Sequence, residues 1–466
     1  MLRDLPKSGA ARATFAPTSQ AWPDKIAHRL KKGPVVPEVR IIIAAIAAAV
    51  LGGAIPAGAA EPAPTPRQLL GAIETLIDAN YVIVPMRPAL KSALEKSLAA
   101  GRYDGLDPRT LSDRITDDMG AVAHDKHLSV RFAPDSAGHL STNPGEPDAA
   151  ALAYFARQDR AQNYGVTQLR ILDGNVRVMT YDGFMWDGPE SAAAIDNAMD
   201  FLRGGDAVII DIRRNGGGSP DASAYLASYF VPPGQKLVTF YLRNDPPTTS
   251  STVKVHGQPL KGIPVYVLTS GFTASAAEEF TSHVARLKFA TLVGQTTAGA
   301  AHRNEIYPLP GGYVISISIG RPELPGGGNW EGVGVTPQIA VTSEAALDTA
   351  HAAALGVLAA KAPPQDRARF ERLQAGASAR AAPATPALAL ERYAGRYGTA
   401  TVTVEGDHLV ATQGPGRKVT LLTLAPDLFA ADIDPTVQMR FVVDKGEATA
   451  LEIMPLEGPT TRMPKG

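Results

Sequence analysis

The residues that could do chemistry start with Ser275. Residues 264–269, PVYVLT, form a short β-branched apolar run that predicts a buried strand, 270–274 predict a turn, and 276–287 predict a helix. Glu278 and Glu279 fall in the first turn of that helix, where the positive end of the dipole favours acids. A serine at such a junction sits beside unpaired backbone N–H groups able to hold a negative oxygen. A nucleophile next to preorganised donors is what acyl transfer needs. The competing reading is that Ser275 only caps the helix. A second segment bears on that choice. Residues 207–211, AVIID, predict another buried strand, which runs into IRRNGGGSP at 212–220. Gly216, Gly217 and Gly218 let the backbone approach a ligand closely with amides turned toward it, although a plain turn before a helix at 222–230 would use the same residues. Together the two segments give two strand ends in one α/β run, one with a serine and one with amides.

These residues resemble a known family. Asp211-Ile-Arg213-Arg-Asn215-Gly-Gly217-Gly and Thr273-Ala-Ser275-Ala-Ala-Glu278-Glu279-Phe280 look like two signature blocks of the tail-specific (C-terminal processing) serine peptidases. The likeness continues through Val293-Gly294-Gln-Thr296-Thr297-Ala-Gly299 and Trp330-Glu331-Gly332-Val333-Gly334-Val335-Thr336-Pro337, in family order, over roughly residues 67–345. The resemblance implies a ClpP/crotonase-like α/β core, a nucleophile at Ser275, and an oxyanion hole from the Ala276 amide and one of Gly216, Gly217 and Gly218. Family members with a Ser–Lys dyad carry lysine in a Gly-Lys-Gly context, where this chain has Ala300. They also carry a PDZ domain, for which residues 133–163 are too few. The chain is more similar to the branch of interphotoreceptor retinoid-binding protein and the tricorn core protease, which uses a histidine base and a downstream glutamate.

Among nine histidines, His127 lies just before an alternating Leu-Ser-Val-Arg-Phe strand. With Asp125 it resembles the family's Asp-X-His-Leu block, which implies that His127 is the base; a polar residue at a strand start is the alternative. The resemblance makes Glu331, in a glycine-rich loop expected to end at a 333–339 strand, the carboxylate that orients the imidazole. Lys126 stands where the tricorn-like tetrad has serine, which leaves Ser129 as a candidate fourth member.

The elements that must hold these groups follow from pattern and composition. The chain has 466 residues, 45% of them hydrophobic, enough for two or three domains. A net charge of −1 argues against a nucleic-acid partner, and zero cysteines exclude disulfides, thiolate metal sites and a thiol nucleophile. Neither a metal cluster nor a cofactor motif is apparent. The domains expected are a leader at 1–60, an N-terminal helical bundle at 61–132, a linker or lid at 133–163, an α/β core at 164–345, a helix and linker at 346–388, and a small antiparallel β domain at 389–466. The last rests on short alternating runs such as 401–404, 409–412, 419–422 and 439–443. Linker composition falls at 376–386. Residues 41–59, behind Arg40 and ahead of an Ala-rich stretch, predict a cleaved signal peptide and a periplasmic or secreted bacterial protein, without stable membrane insertion; a single membrane span is the alternative. The basic stretch 1–38 has no apolar period and is expected not to be translated.

The expectation is thus a secreted serine peptidase acting on peptides or unfolded protein. Two alternatives stand beside it: a non-catalytic ligand-binding protein on the same scaffold, and an esterase-type acyl hydrolase.

Overall fold

A computed structural model describes residues 63–140, 149–413 and 418–466. The expected leader, with its apolar run at 41–59, lies outside the described residues. No helix among the described residues is long and apolar enough to cross a membrane.

The central sheet has six strands, in chain order Val166–Leu172, Val176–Tyr181, Ala207–Asp211, Val265–Thr269, Thr291–Gly294 and Ile339–Ala340. The last five run parallel, each added to the same edge, and the first pairs antiparallel at the far side. Both middle strands are buried at every position, as strands covered on two faces must be. Their alternation sorts the faces. Val208, Ile210 and Val267 point to the helices Pro189–Arg203, Pro220–Ala227 and Ala276–Leu287, through Ile195, Leu226 and Phe280. Ile209 and Leu268 point to Ala346, Ala350 and Ala354 of the helix Ala346–Lys361. The expected strand at 333–339 shrinks to Ile339–Ala340, because Gly332 and Gly334 at φ of 72° and 69° turn the chain first.

A second, antiparallel sheet joins Ser129–Phe132, Tyr313–Glu323, Lys236–Leu242 and Thr248–Ser251, with Arg303–Leu309 also paired to Tyr313–Glu323. Before it come the helices Pro66–Asn80, Arg87–Ala99 and Pro108–Ala123. Thr65 and Asp107 cap the first and third by accepting backbone N–H groups. Their apolar face closes on this sheet, with Leu69, Ile73, Leu94 and Ile115 against Tyr313, Ile315 and Ile317. The bundle therefore shares a core with the sheet, and the helix end at Ala123 leads directly into the turn carrying Asp125 and His127.

The stretch with linker composition, 376–386, is divided. The helix Pro364–Ala381 takes up its first part, 376–381, since alanine is the best helix former, and Gly376 is small because Pro435 lies against it; 382–386 remain without a helix or strand. Arg372 donates to the carbonyls of Thr436 and Met454 and so fastens this helix to the C-terminal domain. That domain is an eight-stranded antiparallel meander between Gly395 and Pro464. The Gly466 amide donates to the Arg396 carbonyl at 2.8 Å and Tyr397 bridges Lys465, so the first and last strands meet around Tyr393, Phe429 and Phe441. Closure removes the exposed edges that an open sheet would carry. Because none of the groups near Ser275 comes from this barrel, a chain ending at Ala382 is expected to keep its reactivity toward a serine-directed fluorophosphonate. Loss of labelling by a truncated chain that unfolds at an unchanged temperature would contradict this.

Candidate active site

Two strand ends are laced together to present Ser275. The Thr273 hydroxyl donates to the Ile212 carbonyl at 3.0 Å, the Ser270 hydroxyl to the Arg213 carbonyl at 2.6 Å, and the Ala274 amide to the Asn215 carbonyl at 3.2 Å. Ser275 caps the helix Ala276–Leu287 with φ 55° and ψ −123°. A non-glycine residue in that region costs of order 1–3 kcal/mol and persists only where its surroundings enforce it.

The enforcing group is Glu278. Fully buried, it accepts hydrogen bonds from the Ser275 amide at 3.1 Å, the Thr297 hydroxyl at 2.6 Å, and the amides of Gly299 and Ala300 at 2.5 and 2.7 Å. Burial pushes its pKa up despite these four donors. The loop that would carry a dyad lysine is thereby tied by its backbone to the serine turn, and Ala300 is buried. Glu278→Ala would orphan these donors at about 1–3 kcal/mol apiece. It is expected to lower the denaturant midpoint and the reactivity of Ser275 together; a variant as stable as wild type would contradict the clamp.

The glycines divide. Gly217 has φ 112°, and a Cβ there would lie 2.5 Å from the Ser275 Cβ, so glycine is required by close approach. Its amide, however, donates to the Asn215 side chain at 2.9 Å, which corrects its expected place among the oxyanion donors. Among the described residues no hydrogen bond engages the amides of Gly216, Gly218 or Ala276. A small cleft lies here, its lining including Gly218, Ser275, Ala276, His302, Arg303 and Trp330. Glu279 also lines it, its carboxyl pushed well above the carboxylate range by burial and then by Asp221.

The expected relay does not form as drawn from the sequence. His127 is buried, and neither of its ring nitrogens has a hydrogen-bond partner among the described residues. Burial, with His302 adding to it, lowers its pKa to about 4. Glu331 reaches His302 instead. Its Oε2 lies 3.7 Å from His302 Nδ1 and accepts the amides of Ala301 and His302 at 2.6 and 3.1 Å. The reason is chain geometry: the Asn329 side chain accepts from the Glu331 amide, and this turn packs on the loop at 299–302. Asp125 Oδ2 lies 3.1 Å from His302 Nδ1, while its Oδ1 accepts from the His127 amide at 2.9 Å and the Ser318 hydroxyl at 3.0 Å. Burial opposes ionisation of Asp125, yet His302 and Ser318 outweigh it and hold the carboxyl below its ordinary range. Burial likewise works against the charged form of His302, but Asp125 and then Glu331 raise its pKa above the usual value. Lys126 donates to the Ala298 carbonyl and Ser129 sits in the ladder opposite Ser316, so neither is placed by a contact with His127. His302 was not singled out by sequence; its only signal is its position three residues after Gly299, at the end of a family block.

Asp125, His302 and Glu331 each offer one atom within 4.8 Å of the others, and form a group among the described residues with spacing fit for a cation. The Asp125–His302 hydrogen bond, with the amides of Ala301 and His302 held by Glu331, accounts for that spacing.

Residues 174–341 match the family model described as peptidase family S41, so the chain's α/β core carries the resemblance to the tail-specific serine peptidases. Carboxyl-terminal-processing peptidase 1 of the Arabidopsis thaliana chloroplast is 29% identical over 135 residues, covering 29% of this chain and 27% of the relative. The carboxyl-terminal-processing protease of Picosynechococcus sp. is 26% identical over 142 residues, covering 30% of this chain and 33% of the relative. The chain thus spans about a third or less of the length of these curated relatives. A solved photosystem II D1 C-terminal processing protease aligns with TM-score 0.37 and 15% identity over 61% of this chain and 95% of its own. The tricorn protease aligns with TM-score 0.35 and 12% identity over 59% of this chain and 34% of its own.

Proposed function

We propose that this chain is a serine-type peptidase that cleaves peptides or unfolded protein through an acyl-enzyme on Ser275. The observation that carries this reading is Ser275 itself, held at positive φ at a helix start, with unengaged amides at Gly216, Gly218 and Ala276 beside it. As Oγ attacks a carbonyl carbon, the oxygen takes up charge that the Ala276 amide and one of the Gly216 and Gly218 amides accept. A neighbouring imidazole receives the hydroxyl proton and returns it to the leaving amine; water then hydrolyses the ester. Two imidazoles stand beside Asp125: His127, to which the Asp-X-His-Leu resemblance points, and His302. The segment at 41–59 supports export to the periplasm or beyond. Turnover of unstructured peptides and of simple esters by the full chain tests the reading. Peptide cleavage is the expected result. Ester hydrolysis alone would favour an acyl hydrolase, and binding without turnover of either would favour a ligand-binding protein.

A further inference from the structure

His302 is in a position that no resemblance assigns. It is buried at 7% exposure, lines the cleft that holds Ser275 and Ala276, and has Nδ1 turned to a carboxylate that is itself fixed. Asp125 is anchored by the His127 amide and Ser318, so it cannot follow a moving ring. Glu331 Oε2 lies 3.7 Å from the same nitrogen and accepts the His302 amide. With Nδ1 committed as donor, Nε2 is the nitrogen left to accept a proton, the tautomer a serine nucleophile requires. His127 lacks the ring contacts: its amide is held by Asp125, but no hydrogen bond among the described residues reaches either ring nitrogen, and it is not among the residues lining the cleft.

We propose that His302 is the imidazole that exchanges the proton with Ser275, with Asp125 as the residue that positions it and Glu331 as a second anchor. This rests on the peptidase reading. In the acylation step the Ser275 O–H bond breaks, its proton goes to His302 Nε2, and the oxygen pair forms the bond to the carbonyl carbon, whose π pair moves onto oxygen. Collapse breaks the C–N bond, and the leaving amine takes the proton from Nε2. Water repeats the sequence, and Nδ1–H stays on Asp125 throughout. The simpler alternative is an ion pair that only ties the 299–302 loop to the turn at 123–127.

The groups facing His302 set its titration: Asp125 and His127 from that turn, Glu331 from its loop, and Arg321 from the strand Tyr313–Glu323. The two carboxylates prevail and raise it, so the neutral, active form should be lost as pH falls through a value above ~6.5, the ordinary histidine pKa. A His127 base would keep activity far lower, toward pH 4.

The test is the rate of fluorophosphonate labelling of the full chain against pH, for wild type, His302→Gln, His127→Gln, Asp125→Asn and Ser275→Ala. The wild-type rate should fall with a midpoint above ~6.5, and His302→Gln should lose at least about 100-fold, as expected for a proton-transfer group. In Asp125→Asn the midpoint should move down, which a purely structural role would not do. Wild-type labelling at His302→Gln with loss at His127→Gln overturns the assignment and leaves the peptidase reading intact. So does a wild-type limb near pH 4, a measurement that needs no substitution to fold. Loss of labelling in EDTA with recovery on adding zinc overturns it in favour of a metal at Asp125, His302 and Glu331. Wild type that labels no faster than Ser275→Ala overturns both readings.

Discussion

Ser275→Ala is expected to lower peptide turnover by at least about 10⁴-fold, the scale on which removing the nucleophile of a concerted serine site acts. The loss should appear in kcat, because the hydroxyl forms a bond only after substrate is bound. Stability should change by no more than the loss of a helix cap, about 1 kcal/mol, since the amide contact to Glu278 is kept. Unchanged turnover would mean that Ser275 caps the helix and does nothing else.

The second large effect is expected of Gly217→Ala, a change that adds one methyl group. At φ 112° an alanine is strained whatever the space, by about 1–3 kcal/mol. The space is also filled: the new carbon would lie 2.5 Å from the Ser275 Cβ and 2.9 Å from the Ala274 carbonyl oxygen. The backbone must therefore move at the nucleophile, where a misplacement of about 1 Å can cost 10²-fold. Labelling of Ser275 should fall by that order even if the protein still unfolds cooperatively. Normal labelling would show that the two strand ends are not rigidly coupled.

Much of this arrangement was legible in the chain because local chemistry and tertiary role agree there. The runs AVII and VYVL are continuous, β-branched and apolar, which suits strands covered on both faces. The helix at 276–287 follows its turn without a break, and the alternating runs after residue 395 do form an antiparallel sheet. What was not legible depends on which loops meet. Glu331 and His127 are both close to Asp125 or its partners, but the sequence cannot say that the 329–331 turn packs on 299–302 and so delivers its carboxylate to His302. The Gly217 amide looked like an oxyanion donor until the Asn215 side chain, two residues away, took it. Within the linker-like stretch, residues 376–381 are helical, because alanine and glycine suit both a tether and a close-packed helix. Closure of the barrel likewise depends on Gly466 meeting Arg396, a contact between ends far apart in the chain.

The most direct test of the central claim is to map the adduct formed when the intact protein reacts with a fluorophosphonate. Digestion and mass analysis should place one phosphonyl group on the peptide containing Ser275, with none in Ser275→Ala. No adduct, or an adduct on another serine with Ser275 unmodified, would contradict the account.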